Sequence, residues 1–250
     1  MANFVLVHGA WHGAWCWSRV LPLLRHAGTG GHGAYAVTLT GVGERAHLLS
    51  REITLQTHIT DVVNLIEAEE LQDVVLVGHS YAGMVVTGAA DRLLATQPHR
   101  LRHLVYLDAS VPKPGEAWGD KHPQATRIAR AAAAATHPLN ALPPPDASVF
   151  GLEGEDAAWV NRRQTPHPFG PYSDPVQFDM VRLGAVTRTF IDCVNPPLAT
   201  INASRERARS SATWDGHWLP KASLVVMNTG HDPMVSAPKE LADILLRSAQ

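Results

Sequence analysis

The sequence predicts an α/β fold: a mostly parallel sheet flanked by helices, with a helical cap inserted into it. Three observations carry that prediction. Short, nearly continuous apolar runs recur along the chain, as strands covered on both faces require. Segments of helical character separate them, and alternation of this kind builds a parallel sheet. The alternation stops between about residues 111 and 186, where most of the 18 prolines lie and no strand-like apolar run occurs.

The strands, in order, are "NFVLVHG" (3–9), "AYAVTLT" (34–40), "DVVLVG" (73–78), "LRHLVYLD" (101–108), "RTFIDC" (188–193) and "SLVVMN" (223–228). Helices are expected at 14–27, 56–70, 82–96, 197–210 and 238–248. In the second of these, Ile59, Val62, Val63 and Ile66 recur at helical spacing and define a buried stripe. The 111–186 stretch holds "PPP" at 143–145, an alanine run at 131–135, and Trp118, Phe150, Trp159, Phe169, Tyr172 and Phe178. A disordered linker carries fewer aromatic residues than this, so the stretch reads as helices and loops packed over the rest. Residues 1–110 and 187–250 then form the core of one domain, and 111–186 its cap. "GTGGHG" (28–33) follows a helix, precedes a strand and lacks a lysine, so it is a loop and not a phosphate cradle.

Composition excludes several classes of function. The chain has 250 residues, 45% hydrophobic and 18% charged, with a formal net charge of -2. Nothing in that balance attracts nucleic acid or an anionic membrane. The densest basic group, "RERAR" (205–209), reads as a solvated helix face. The 14 histidines show no H-E-x-x-H or C-x-x-C spacing, so no metal site is expected. The two cysteines, Cys16 and Cys193, read as buried free thiols. The opening "MANFVLVHGA" reads as a strand and not a signal peptide, and no segment approaches membrane-spanning length. A soluble, cytoplasmic protein without cofactor is the expectation, and a homodimer is left open.

The chemistry starts at "VVLVGHSYAG" (74–83). A serine between a buried strand and a helix, flanked by Gly78, Ala82 and Gly83, fits a nucleophile elbow. Small neighbours let strand and helix approach closely, and the turn lifts the hydroxyl above the sheet. The competing reading is a serine that merely caps the helix. A serine hydroxyl needs a base to take its proton, and histidine titrates in the right range. Gly230-His231, after the last strand, would bring an imidazole back over Ser80. His79 is directed elsewhere by the sharp turn. The acid that holds the base's other nitrogen belongs after the strand at 188–193, yet no carboxylate occurs from Cys193 to Ser204. Asp108, at the end of the preceding strand, is the favoured substitute, with Asp192 and Glu206 as rivals. Backbone N–H groups of Tyr81 and Ala10 would stabilise an oxyanion. Gly9 lets the 8–15 loop approach, and Trp11, Trp118 and Trp159 are expected to wall a pocket with it. His8 and His12 are either substrate contacts or supports of the loop.

Together "FVLVHGAWHGAWCW", "TLTGVGERAHLL", "VVLVGHSYAGMV", "LVYLDASVP" and "GHDPMVSAP" resemble the α/β-hydrolase fold. Within it they resemble the branch of plant methylesterases, plant hydroxynitrile lyases and small bacterial carboxylesterases. The bacterial group, which includes esterases of pyrethroid and carbamate pesticides, is matched best. The resemblance implies a serine carboxylesterase that cleaves hydrophobic or aromatic esters through an acyl-enzyme. It places nucleophile, base and oxyanion donors at Ser80, His231, Tyr81 and Ala10. The family's usual acid position falls in "VNPP", a departure, whereas dehalogenase-type relatives of the fold carry their acid where Asp108 stands. Two alternatives accompany this reading. The lyases of the branch carry threonine at the position of Gly9 and lysine at that of Asp232, and both are missing here. A non-catalytic small-molecule receptor on the same scaffold is the other.

Overall fold

The computed structural model describes residues 1–28, 31–209 and 222–249. Its centre is a six-stranded parallel sheet of β1 (Asn3–Val7), β2 (Gly33–Val37), β3 (Val74–His79), β4 (Leu101–Leu107), β7 (Thr187–Cys193) and β8 (Ala222–Met227). The spatial order is β2-β1-β3-β4-β7-β8. The chain therefore runs outward from β1 to β2, crosses back, and continues to the other edge. The reversal point lies between β1 and β3, and open α/β sheets gather functional groups at the carboxyl ends there. All six residues of β3 are buried, as its unbroken apolar run requires.

Each strand falls within a residue or two of its expected start, and most stop sooner. The following loops, rather than the strands, take up "HG" after β1 and "TLT" after β2. The helices flanking the centre are α2 (Leu55–Ala68) and α3 (Ala82–Thr96). Thr54 and Thr57 close the start of α2 with a reciprocal capping box. The stripe Ile59, Val62, Val63 and Ile66 is buried, joined by Leu55 and His58. The helix expected over 14–27 is broken into a 3₁₀ turn at Ala14–Trp17 and α1 (Leu21–Arg25). Pro22 explains the break, because proline is accommodated only in the first turn of a helix. The segment expected at 197–210 likewise divides into a 3₁₀ turn at Ala199–Ile201 and α8 (Asn202–Arg209), with Ser210 outside the described residues. The last helices are α9 (Pro233–Ser236) and α10 (Pro238–Arg247).

Between β4 and β7 lie α4 (Gln124–Ala135), α5 (Gly154–Asn161), α6 (Gly170–Ser173) and α7 (Met180–Gly184). Two two-residue strands, β5 (Ala141–Leu142) and β6 (His167–Pro168), pair antiparallel. Pairing this short leaves no periodicity in a sequence, so this ribbon was not anticipated. Trp118, Phe150 and Tyr172 pack into the main core, which ties the inserted segment down as a folded part. Cys16 and Cys193 are free and buried. No helix among the described residues is long and apolar enough to cross a membrane.

Candidate active site

Ser80 leaves β3 with φ at +55°, the strained conformation that a nucleophile elbow imposes. The glycines around it answer to contact distances. A Cβ at Gly78 would meet the Val86 side chain at 2.6 Å and the Ala82 carbonyl at 2.8 Å. One at Gly83 would sit 1.9 Å from the Ser110 carbonyl, because the segment after β4 crosses the first turn of α3 there. The backbone is pinned on both sides: Ser80 N donates to Leu107 O at 3.1 Å and Ser110 N donates to Ser80 O at 2.9 Å.

The Ser80 hydroxyl does not cap α3. It lies 2.8 Å from His231 Nε2 and, in the tautomer this network requires, donates to it. The opposite ring nitrogen, Nδ1, donates to Asp108 Oδ2 at 2.6 Å. Asp108 is fully buried and has φ at +39°, with its N–H donating to Ile191 O at 2.7 Å. That bond joins the ends of β4 and β7, which explains how a carboxylate after β4 reaches His231. The rivals lie elsewhere. Asp192 is buried on β7 against Arg205 and Arg209, and Glu206 is exposed. In the carboxylate-free segment after β7, the Asn195 N–H donates to Thr229 O in the loop that carries His231.

The loop after β1 packs directly against Ser80. A Cβ at Gly9 would lie 2.8 Å from Ser80 Cβ and 2.9 Å from His79 Nδ1. Gly9 is thus a backing to the serine and not a wall of the pocket. His8 and His12 shape this loop from within. His8 Nδ1 donates to Gly9 O at 2.7 Å and its Nε2 accepts from Leu39 N at 3.1 Å. Burial pushes its pKa down to about 3, so it stays neutral. His12 Nδ1 donates to Ala10 O at 2.8 Å. Among the described residues, no acceptor takes the N–H of Ala10 or of Tyr81, which leaves both available to an oxyanion.

Behind the base lies a buried charged group. Asp232 accepts from His12 Nε2 at 3.1 Å, and His79 Nε2 stands 3.5 Å from its other oxygen while donating to His231 O at 2.9 Å. His79, His231 and Asp232 bring ligand-type atoms within 4.8 Å of one another. Both His231 nitrogens and one of His79's are engaged in hydrogen bonds. Burial, reinforced by the neighbouring His231, pushes the His79 pKa well below its usual value.

A cavity of about 470 Å³ opens onto Ser80, within the usual range for small-molecule sites. Trp11 and Trp118 line it. Phe150, Arg130 and Pro143–Pro145 complete much of the wall, and none of these had a sequence signal beyond the aromatic and proline content of the cap. The Arg130 guanidinium lies over the rings of Trp118 and Tyr172, 5.2 and 5.4 Å from their centroids. Trp159 is a correction. It stands outside this cavity on α5, edge-on to Trp15 and under the guanidinium of Arg163. The "RERAR" segment is the second correction. Arg205 is 5% exposed and paired with both Asp108 and Asp192, while Arg207 is bound to Glu116. Arg205 is buried, Arg207 half-buried and Arg209 exposed, a gradient that carries no compositional mark, so the segment passed for a solvated face.

A strand–serine–helix elbow at the reversal point of a parallel sheet, with a histidine behind it and a cap above, defines a hydrolase of the α/β type. Comparison with known proteins agrees. Residues 4–244 match the model of the alpha/beta hydrolase family, and the chain belongs to that family. A "Carbendazim hydrolyzing esterase" of Nocardioides sp. (strain SG-4G) is 41% identical over 98% of each chain. "Methylesterase 7" of Arabidopsis thaliana is 26% identical over 99% of this chain and 96% of that one. Among solved structures, an extracellular alpha/beta-hydrolase from a Paenibacillus species superposes with a TM-score of 0.81 at 20% identity, covering 99% of both chains.

Proposed function

We propose that Ser80, His231 and Asp108 are the catalytic triad of a serine carboxylesterase acting on hydrophobic or aromatic esters. The observation that carries this is the unbroken chain of hydrogen bonds from Ser80 Oγ through His231 to Asp108, at 2.8 and 2.6 Å, open at its serine end to an aromatic-walled cavity. The chain is a carboxylesterase by its relatives, which are esterases over nearly their whole length.

His231 takes the Ser80 proton as Oγ attacks the ester carbonyl. The resulting oxyanion is met by the N–H groups of Ala10 and Tyr81, which need no rearrangement to receive it. His231 then gives the proton to the departing alkoxide, leaving an acyl group on Ser80. Water enters and attacks the acyl carbon as His231 takes its proton; the second oxyanion then collapses, the bond to Ser80 Oγ breaks, and Oγ regains its proton from His231 as the acid leaves. Asp108 holds the imidazole in its working tautomer and stabilises the imidazolium in both halves. Trp11, Trp118 and Phe150 favour a flat, apolar substituent on the ester. Carbendazim, named for the bacterial relative, therefore heads the substrates to test. A cytoplasmic, cofactor-independent enzyme fits the composition, with no nucleic acid among its partners.

Nothing among the described residues favours a lyase. The residue after the base, Asp232, is a buried anion held by His12, where stabilising a departing cyanide would need a cation facing the pocket. A panel of chromogenic esters together with carbendazim, assayed on the native chain and on Ser80→Ala, tests the proposal. Hydrolysis should be abolished in the variant, along with labelling by a fluorophosphonate. A native chain that hydrolyses no ester and takes no label would refute the reading and leave a receptor.

A further inference from the structure

We propose that Arg205 is a positioning residue for the reaction: it holds Asp108 in the orientation that lets a carboxylate after β4 serve His231. The proposal rests on the reading of Ser80, His231 and Asp108 as a triad.

Asp108 Oδ2 is committed to the imidazole, and one hydrogen bond leaves a carboxylate free to swivel, because the terminal torsion of aspartate is broad. The second oxygen, Oδ1, accepts from Arg205 Nη2 at 2.7 Å. Arg205 is itself held from every side. Its Nη2 also donates to Cys193 O at 3.1 Å, its Nε to Asp192 Oδ1 at 2.7 Å, and its Nη1 to Leu198 O and Asn202 Oδ1 at 2.7 and 2.9 Å. The planar fork of a guanidinium is matched to this many acceptors, which a lysine could not engage together. Asp108 is thus fixed at both oxygens by groups that cannot move independently.

The location explains why such a support is needed. The segment after β7, from Cys193 to Ser204, contains no carboxylate. The acid stands instead one strand away, and the helix that follows the vacated segment supplies a cation to it. Asp192, the only acid on β7, is turned to Arg205 and Arg209, so it anchors the guanidinium and does not compete for His231.

The charge arrangement gives a readout that loss of folding would not mimic. His231 faces Asp108 from the end of β4, His79 from the end of β3, and Asp232 from its own loop, with His12 beyond on the loop after β1. Asp108 faces Arg205 from α8 and Cys193 from β7, whose thiol is kept protonated by burial and by Asp108 itself. Asp192 and Arg209 lie on the far side of Arg205. Among the described residues, Arg205 is therefore the arginine or lysine in direct contact with Asp108. Removing it leaves the full carboxylate charge acting on the imidazole. The proton is then held more tightly by His231, and the acid limb of kcat/KM moves to higher pH.

The experiment compares Arg205→Gln, Arg205→Lys and the double variant Arg205→Gln/Asp192→Asn with the native chain on a p-nitrophenyl ester. Rates are taken per site titrated with a fluorophosphonate, so that unfolded chains do not count. Arg205→Gln should lower kcat by about 10- to 100-fold, the worth of one hydrogen bond between charged groups. KM should hold within about threefold, since nothing that touches substrate has changed. The acid limb should rise by about one pH unit, as expected when one neighbouring charge is lost. Arg205→Lys should recover part of the rate and return the limb toward its native position. The double variant removes the stranded Asp192 charge and should stay slow with the limb still raised. The proposal is overturned if kcat per site stays within about threefold of native, if the limb does not move, or if the double variant regains the native rate. Asp108→Asn is assayed alongside: full activity there would sink the triad reading itself, whereas a dead Asp108→Asn beside a native-like Arg205→Gln would sink Arg205 alone.

Discussion

Replacing Asp232 by asparagine should destabilise the protein in a way that depends on pH with a definite sign. Both ring nitrogens of His12 face acceptors, Ala10 O at 2.8 Å and Asp232 Oδ2 at 3.1 Å, and only the imidazolium donates from both. Burial by itself would expel that proton, but the charge and hydrogen bond of Asp232 override it and raise the His12 pKa. Burial would likewise raise the Asp232 pKa, yet the charge and hydrogen bond of His12, with His79 and His231 beyond, bring it down to about 2. The two side chains are 2% and 0% exposed, so solvent screening does not dilute the pair. Breaking such a pair costs about 3–5 kcal/mol when the partner charge is stranded. Here His12 can shed its proton, so the loss is closer to a charge-assisted hydrogen bond, about 2 kcal/mol. For a domain of this size that is a fall in Tm of about 4–8 °C.

The sign follows from the direction of each shift. The Asp232 pKa is lower in the folded chain than its unfolded value near 3.9, so its contribution is complete above about pH 4 and is lost as pH falls toward 2. The His12 pKa is higher in the folded chain, so its contribution is complete below about pH 6.5 and is lost as pH rises through the folded value. The gap in Tm between the native chain and Asp232→Asn should therefore be widest between about pH 4 and 6.5 and narrow on the alkaline side. Differential scanning calorimetry of both proteins from about pH 4.5 to 9 measures it. A gap that is constant across that range, or absent at its acid end, would refute the assignment of a buried ion pair.

The remaining predictions concern catalysis. Asp108→Asn should lower kcat by about four orders of magnitude with the fold intact by circular dichroism, because the amide favours the wrong imidazole tautomer. Gly9→Ala puts a methyl 2.8 Å from Ser80 Cβ, which should push the Ala10 N–H away from the oxyanion and reduce kcat by about 10²-fold. Trp118→Ala should raise KM for aryl esters more than for short alkyl esters, since it removes a ring from the cavity wall. Trp159→Ala should leave both KM values unchanged in the same assay, because Trp159 stands outside that wall.

Most of the sheet was legible because its strands carry short apolar runs, nearly continuous in the buried β1 and β3. The serine and its histidine were legible because an elbow demands small residues at fixed places and a base demands a loop after the last strand. The walls of the cavity were not. Phe150 and Pro143–Pro145 reach it through the path of the cap, which no local periodicity encodes. Trp159 was misplaced for the same reason: a tryptophan in a cap sequence does not say which side of its helix meets the site. His8 and His12 were undecided between substrate and loop, and only their bonds to Gly9 O and Ala10 O decide for the loop.

The acid shows how topology supplies what a linear motif withholds. In sequence, Asp108 and the vacated segment after Cys193 are about 85 residues apart and belong to different elements. In space, β4 and β7 are paired, with Leu107 beside Ile191, so their ends are interchangeable starting points for a side chain aimed at the loop of His231. A carboxylate moved from one end to the other keeps its reach but loses the backbone surroundings that held it at the first place. Something else must then occupy its free oxygen. The guanidinium of Arg205 meets Asp108 and Asp192 at 2.7 Å each, binding an acid from each strand end with one planar group. Arg205, which the sequence placed on a solvated face, is instead buried between these two carboxylates.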